Sequence, residues 1–300
     1  MNRLAALAVL TLLIGCGQTS GTFVDVPFAG QGTEATAFVK DGWQVALSEA
    51  TVGFGSIFFC ATESSSPDRC EVAILEFREG VTLDGLDPSV QPIGELFGTT
   101  GVINTTFFNY GIVWLLTEPL PAALDGVPGG PAAVPFESPS YSPGGHSGRF
   151  EGTATCIEGP DVCCPEAETC PQSYRFEAFV DVIPGVRGEP TINGLRTSVT
   201  IDAEPVSLTV TFDPTTWWQI VDYGRLANLD DGSGTVVLGP DDPDYNAVVI
   251  AMSGNPPPTF TWSTDHEVKG TRRKWETKRH AQSNDNGSGP HCRHGGRLFR

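Results

Sequence analysis

The feature that most constrains the fold is an alternation of apolar and polar residues in short runs. In VSLTVTF, residues 206–212, every even-numbered position is apolar and every odd-numbered position is Ser or Thr. In SYRFEAFVDV, residues 173–182, a similar alternation puts Arg175, Glu177 and Asp181 on the solvent face, with Phe179 as an exception. The inward positions of this second run are Tyr174, Phe176, Ala178, Val180 and Val182. A period of two predicts strands with one buried and one wet face, which is typical of antiparallel sheets.

Further candidate strands of the same kind occur along most of the chain. They are WQVALS, VGFGSIFFC, EVAILEF, GRFEGTATC and LRTSVTI. Many short strands bounded by turns predict an all-β fold, specifically an antiparallel β-sandwich with long Pro/Gly-rich loops. The largest such loop is residues 118–147, which hold seven prolines and five glycines in thirty positions. We expect it to wrap one domain, because neither half of the chain has a complete set of strands.

One or two short helices interrupt this β pattern. In DPTTWWQIVDYGRL, Asp213 is suited to cap a helix that begins at Pro214. Trp217, Ile220 and Val221 then share a face, and we expect both tryptophans of this segment to pack in the core. DYNAVVIAMSG is the second candidate helix, and TFTW after it is the last predicted strand.

The amino terminus has the pattern of a secretory signal. Arg3 precedes an apolar run from Leu4 to Ile14. A membrane-spanning helix needs about 20 apolar residues, so this run of about a dozen predicts an export signal and not an anchor.

The signal ends in Leu-Ile-Gly-Cys, which resembles the lipobox of bacterial lipoproteins. In that group the cysteine is acylated and becomes the first mature residue, so the resemblance implies lipidation of Cys16. The residue after it is Gly17 and not Asp, which by the same resemblance disfavours retention at the inner membrane. We therefore expect a signal peptide over 1–15, a lipidated tether over 16–22 and attachment to the outer membrane, on its periplasmic or surface face. The alternative is a chance cysteine behind an ordinary signal peptide.

Charge divides the remaining chain into two parts. Residues 16–265 hold 33 acidic and 8 basic residues, whereas residues 266–300 hold 3 acidic and 9 basic ones. The acidic part repels nucleic acid, which excludes nucleic-acid binding by the body. We predict a β-sandwich domain over 23–265 and a disordered basic tail over 266–300, which lacks apolar periodicity. A shifted reading frame is a rival explanation of the tail.

The cysteines of the body agree with export. Cys60 and Cys70 flank a polar loop between two strand-like runs, so they predict a disulfide that closes a hairpin. Four more cysteines fall within fifteen residues and allow two bridges in three connectivities. These four are Cys156, Cys163, Cys164 and Cys170. A zinc cluster is the competing interpretation, but the spacing lacks two CxxC pairs.

Three groups of residues have the chemistry of a site. Ser147 lies in GGHSGR, which is similar to the G-x-S-x-G elbow of serine hydrolases, and His146 is the only histidine of the body. The final glycine is displaced and a strand pattern follows instead of a helix, so we expect no catalysis here and no enzymatic activity. HCRH in the tail, with Cys292, has ligands for a transition metal.

The acidic group offers the most direct alternative, a calcium- or small-ligand-binding surface module. Carboxylates clustered in Gly-containing loops suit Ca²⁺, although neither loop has the twelve-residue calcium-loop spacing and aspartates are common in turns. The residues are Asp230, Asp231, Asp241, Asp242 and Asp244.

Several segments together resemble uncharacterised bacterial surface lipoproteins. The similarity covers residues 40–262 and rests on DGWQVALSEATVGFGSIFFC, WLLTEPLPAAL, GGHSGRFEGTATC, SYRFEAFVDV, LTVTFDPTTWWQIVDY and PTFTW. Members of that group have an exported β-rich body that opens with a GW-x-V strand. The resemblance implies architecture and location. The expected function is thus that of a non-enzymatic, lipid-anchored structural or binding module without a cofactor, whose partners are the membrane and an envelope protein or small ligand.

Overall fold

The computed structural model describes residues 21–62, 70, 72–110, 146–165, 170–182, 192–202, 206–230, 232–254 and 256–263. Several predictions lie outside these residues. They concern the signal peptide, Cys16, residues 118–145 of the Pro/Gly-rich segment, Asp231 and the basic tail with Cys292. The chain divides after Ser263, so every described residue belongs to the first of its two units.

Twelve strands and four helices form within the described residues. The strands are β1 (Phe23–Gln31), β2 (Ala37–Lys40), β3 (Trp43–Cys60), β4 (Ala73–Asp84), β5 (Gln91–Thr99), β6 (Gly101–Asn109), β7 (Gly148–Cys156), β8 (Ser173–Val180), β9 (Ile192–Ile201), β10 (Ser207–Thr211), β11 (Thr235–Leu238) and β12 (Thr259–Ser263). The helices are α1 (Pro160–Cys163), α2 (Pro214–Trp218), α3 (Tyr223–Ala227) and α4 (Pro243–Gly254). The prediction of a mostly β fold is confirmed.

All twelve strands belong to one hydrogen-bonded sheet. Its main order is β11-β8-β7-β3-β4-β5-β1-β10-β12; β2 and β6 also pair with β3, and β9 pairs with β6. Most neighbours are antiparallel, but β1 runs parallel to β10 and β8 runs parallel to β11. The expectation of a purely antiparallel architecture is therefore wrong. Parallel neighbours are joined by long crossovers, which alternation within a single strand does not reveal.

The long strand β3 organises the sheet because it changes partners along its length. Its first half pairs with β2 and β7, and its second half pairs with β4 and β6. The pairing shifts register between Gly55 and Ile57, as in a β-bulge. Gly55 has φ of 155°, and a Cβ there would lie 2.2 Å from the carbonyl oxygen of Glu79. Only glycine fits this bend, which lies within the pairing of β3 with β4 and at the start of its pairing with β6.

Aromatic side chains fill the core between distant parts of the sheet. Phe54 of β3 contacts Phe28 of β1 and Phe212 after β10. Phe59, also on β3, lies with its ring 5.1 Å from that of Trp262 on β12, although β3 and β12 are not paired. The core side of β3 therefore packs against β1 and β12, which are several strands away from β3 in the order of the sheet.

The predicted helix after Asp213 is two shorter helices. The Asp213 carboxylate accepts a hydrogen bond from the Thr215 amide (3.2 Å) at the start of α2, as the sequence indicated. Trp217 and Trp218 are fully buried, which confirms core packing. The helix ends at Trp218, however, and Ile220 is 47 % exposed whereas Trp217 and Val221 are buried, so the predicted shared face is wrong. The second predicted helix is confirmed as α4, and the final strand as β12.

Candidate functional site

A buried polar cluster joins the start of β7 to the end of β8. The Nδ1 atom of His146 lies 2.9 Å from Oδ1 of Asp181, and both side chains are almost completely buried. The Asp181 amide donates a hydrogen bond to the phenolic oxygen of Tyr245 on α4 (2.9 Å). Burial, and next the nearby Asp181 carboxylate, raise the pKa of Tyr245 to about 12.

The predicted solvent exposure of Asp181 is wrong. Its position in SYRFEAFVDV predicts a solvent-facing side chain, yet the residue is 7 % exposed. The strand β8 ends at Val180, so Asp181 is no longer bound by the strand's alternation and lies beside His146. Asp181 is buried because the buried imidazole of His146 needs a hydrogen-bonding partner, and the Asp181 carboxylate is that partner.

The hydroxyl of Ser147 forms hydrogen bonds with two backbone groups. It donates to the carbonyl oxygen of Tyr110 (2.8 Å) and accepts from the amide of Val182 (2.8 Å). The side chain is fully buried. The backbone of Ser147 also connects the start of β7 to β3, because its carbonyl accepts a hydrogen bond from the Gly53 amide.

This arrangement has a carboxylate beside the imidazole but no activated nucleophile. A catalytic serine must give its proton to the base and reach a substrate. The Ser147 hydroxyl instead donates its hydrogen bond to the backbone carbonyl of Tyr110 and is buried. The hydrogen bonds of the cluster connect the ends of β7 and β8 to α4 and to the end of β6.

The acidic residues of the calcium hypothesis separate into two places. Asp230 accepts hydrogen bonds from the amides of Gly232 (3.1 Å) and Gly234 (2.9 Å), which closes the turn before β11. Asp242 and Asp244 instead lie at the start of α4, and the guanidinium of Arg225 binds both of them.

The Arg225 cluster is a self-contained ionic network. Oδ1 of Asp244 accepts from the Asp222 amide (2.9 Å), and Oδ1 of Asp242 accepts from the Asp244 amide (2.8 Å). Asp222 in turn caps α3 by accepting from the Arg225 amide. A cation already neutralises the carboxylates that a metal ion would need. Within the part of the chain that the structure describes, no three acidic, histidine or cysteine side chains are placed to hold a metal ion.

The six cysteines that the structure describes form three disulfides. Cys60 is bonded to Cys70, in the pairing that closes the loop between β3 and β4. Cys156 pairs with Cys163 and Cys164 pairs with Cys170, which selects one of the three connectivities that the sequence left open. The adjacent cysteines both pair outward, and the carbonyl of Cys163 accepts a hydrogen bond from the indole of Trp43.

The outer face of β3, β7 and β8 holds a second ionic network around Arg149. Its guanidinium contacts the carboxylates of Glu49 (3.1 Å), Glu151 and Glu177 (3.8 Å). It also lies over the ring of Phe179, 5.7 Å from its centre. The ring of Phe179 also contacts His146, at 5.0 Å between ring centres. Phe179 therefore connects the outer ionic network to the buried cluster.

An open groove of about 470 Å³ lies between β3 and the end of β4. Its walls carry hydroxyls and two carboxylates above two leucines, so it offers hydrogen bonds and little apolar contact. The lining residues are Ser48, Glu49, Thr51, Thr82, Leu83, Asp84 and Leu86. No pattern in the sequence indicated this groove, because its lining combines polar residues of β3 and β4 with the buried Leu83 and with Leu86 after β4.

Comparison with known proteins gives no assignment. No protein-family model matches the chain, and no curated protein and no solved structure is similar to it at a significant level. None of the helices formed by the described residues is long and apolar enough to cross a membrane.

Proposed function

We propose that the chain is a non-enzymatic, lipid-anchored protein of the bacterial envelope, a structural or binding module held at the outer membrane by acylated Cys16. The observation that carries this proposal is the set of three disulfides. Disulfides persist in oxidising compartments such as the periplasm and the cell surface. They use all six cysteines between residues 23 and 265, and the two further cysteines of the sequence are Cys16 and Cys292.

The environment of the Ser147 hydroxyl supports the proposal that the protein is not an enzyme. Both of its hydrogen-bonding functions are occupied by backbone groups, and it is buried. Calcium binding by the Asp-rich loops is the less favoured alternative, because the guanidinium of Arg225 already binds Asp242 and Asp244.

We also propose that the body is a β-sandwich. The contacts of Phe59 with Phe260 and Trp262 support two layers, since these residues lie on strands that do not pair. The mixed pairing of the sheet means that such a sandwich is not purely antiparallel.

Metabolic labelling with palmitate tests the anchor. The wild-type chain should incorporate label and sediment with membranes, whereas Cys16→Ser should lose both properties. Cys292→Ser is the matched control, because it removes a cysteine of the tail and should keep the label. Equal labelling of Cys16→Ser and wild type would overturn the proposal.

A further inference from the structure

Two phenylalanines form an exposed aromatic pair on the solvent face of the sheet. Phe23 of β1 is 75 % exposed and Phe97 of β5 is 53 % exposed. Their rings are stacked, with centres 6.1 Å apart. The register places Phe97 opposite Asp25, so the two rings are diagonal neighbours on one face. Exposed rings of this size leave a large apolar area in water unless another surface covers them.

The pair lies where the chain enters the fold. The Thr22 amide donates to Oγ1 of Thr100 (3.0 Å), and the Thr100 amide donates to the carbonyl of Thr22 (2.8 Å). The backbone is therefore held from Thr22 onward. Cys16 precedes Thr22 by six residues, which span at most about 20 Å when fully extended. Cys16 is consequently tethered within about 20 Å of Thr22, the residue before Phe23.

Two exposed valines extend the apolar character of this end. Val102, 51 % exposed, begins β6 shortly after β5 ends, and Val72, 57 % exposed, precedes β4. A Cβ on Gly101 would lie 2.8 Å from the Cδ1 atom of Ile74, so the starts of these two strands are close together.

We propose that Phe23 and Phe97, with Val72 and Val102 at the same end of these strands, insert into the headgroup layer of the same lipid bilayer that holds Cys16. This inference rests on the proposed lipid anchor. Phenylalanine is among the side chains by which interfacial segments insert an apolar face at the boundary between headgroups and acyl chains. The body carries 33 acidic against 8 basic residues, so the surface it contacts is zwitterionic and not strongly anionic. The contact orients the sheet on the membrane, with β1 and β5 toward the lipid.

Photocrosslinking of the acylated, full-length mature protein tests this contact. The protein is extracted from its own membranes and reconstituted in phosphatidylcholine vesicles that contain a photoactivatable phosphatidylcholine. Peptide mass spectrometry should find lipid adducts on the segments around Phe23 and Phe97. Val237 on β11 is 65 % exposed and serves as the internal control, where we expect no adduct.

A matched pair of variants gives a second measurement. The double variant Phe23→Thr, Phe97→Thr keeps strand propensity and should transfer between vesicles about tenfold faster than wild type, as loss of two partly buried rings implies. Val237→Thr should transfer at the wild-type rate.

The outcomes separate the two proposals. An acyl mass on Cys16 with no adducts at either phenylalanine, or with equal transfer rates for all three proteins, overturns the membrane contact and leaves the anchor intact. A chain without an acyl mass on Cys16 overturns both.

Discussion

Nδ1 of His146 lies 2.9 Å from Oδ1 of Asp181, in a site where both side chains are about 95 % buried. The pair connects the residue before β7 to the residue after β8. The strands β7 and β8 pair along nearly their whole length, from Gly148 opposite Val180 to Thr155 opposite Ser173. The His–Asp contact therefore closes the end of this ladder.

Removal of the Asp181 carboxylate should destabilise the fold. Asp181→Ala leaves the buried imidazole of His146 without this acceptor, and we expect a loss of about 3 kcal/mol in the free energy of unfolding. Asp181→Asn keeps an oxygen acceptor and should cost clearly less. Urea denaturation measures both, with the exposed Asp161→Ala as control. An Asp181→Ala protein as stable as this control would show that the pair contributes nothing.

Ser147 should matter for stability and not for catalysis. Ser147→Ala leaves the Tyr110 carbonyl and the Val182 amide without the hydroxyl that joins them, at a cost of about 2 kcal/mol. Ser207→Ala, on the half-buried face of β10, should change stability much less. The wild-type protein should not react with a fluorophosphonate probe for active serines. Labelling of Ser147 by that probe would contradict the structural role.

Arg225 should stabilise the protein by neutralising two aspartates. Arg225→Met leaves Asp242 and Asp244 close together without their cation, and because the arginine is partly exposed we expect a loss of about 2 kcal/mol. Arg175→Met, whose side chain is 66 % exposed, is the matched control and should change stability by less than about 0.5 kcal/mol.

The same network leads to an expectation about calcium. Isothermal titration of the wild-type protein with millimolar Ca²⁺ should give no binding heat, because Arg225 already binds Asp242 and Asp244. A saturable calcium heat that disappears in Asp242→Asn would support the calcium-binding alternative instead.

Alkaline pH should unfold the protein through its buried tyrosines. Burial raises the pKa of Tyr245 to about 12 from its ordinary value of 10, and burial also raises the pKa of Tyr110, Tyr174 and Tyr223. A raised pKa means that the unfolded chain loses its phenolic protons first. Stability is therefore fully present below pH 10 and falls as pH rises from 10 through 12.

Denaturant titrations between pH 8 and about 12 measure this decline, and phenolate absorbance follows the ionisation itself. Tyr245→Phe should reduce the steepness of the decline, because one of the four groups no longer titrates. Phenolate formation at the ordinary tyrosine pKa in the folded protein would contradict the burial argument.

Much of the fold follows from local sequence patterns. The alternation in VSLTVTF correctly places Leu208, Val210 and Phe212 in the core, and the Asp-Pro start correctly locates α2. The spacing of Cys60 and Cys70 correctly predicts their bridge. These features depend on contacts between residues that are near in sequence or on one strand.

The remainder depends on partners that are distant in sequence. The parallel pairing of β1 with β10 joins segments about 180 residues apart, and no pattern within either strand specifies it. The burial of Asp181 depends on His146, and the roles of Asp242 and Asp244 depend on Arg225. Polar residues that are buried as partners have the same local signature as polar residues in solvent, so alternation alone misplaces them.

The most direct test of the account is the intact mass of the protein extracted from the membranes of its own cell, measured without reduction. We predict a chain that begins at Cys16, carries the added mass of its acyl groups and lacks six hydrogens for the three disulfides. A chain that begins at another residue, without acyl mass and with its body cysteines reduced, would contradict both the lipid anchor and the oxidising compartment.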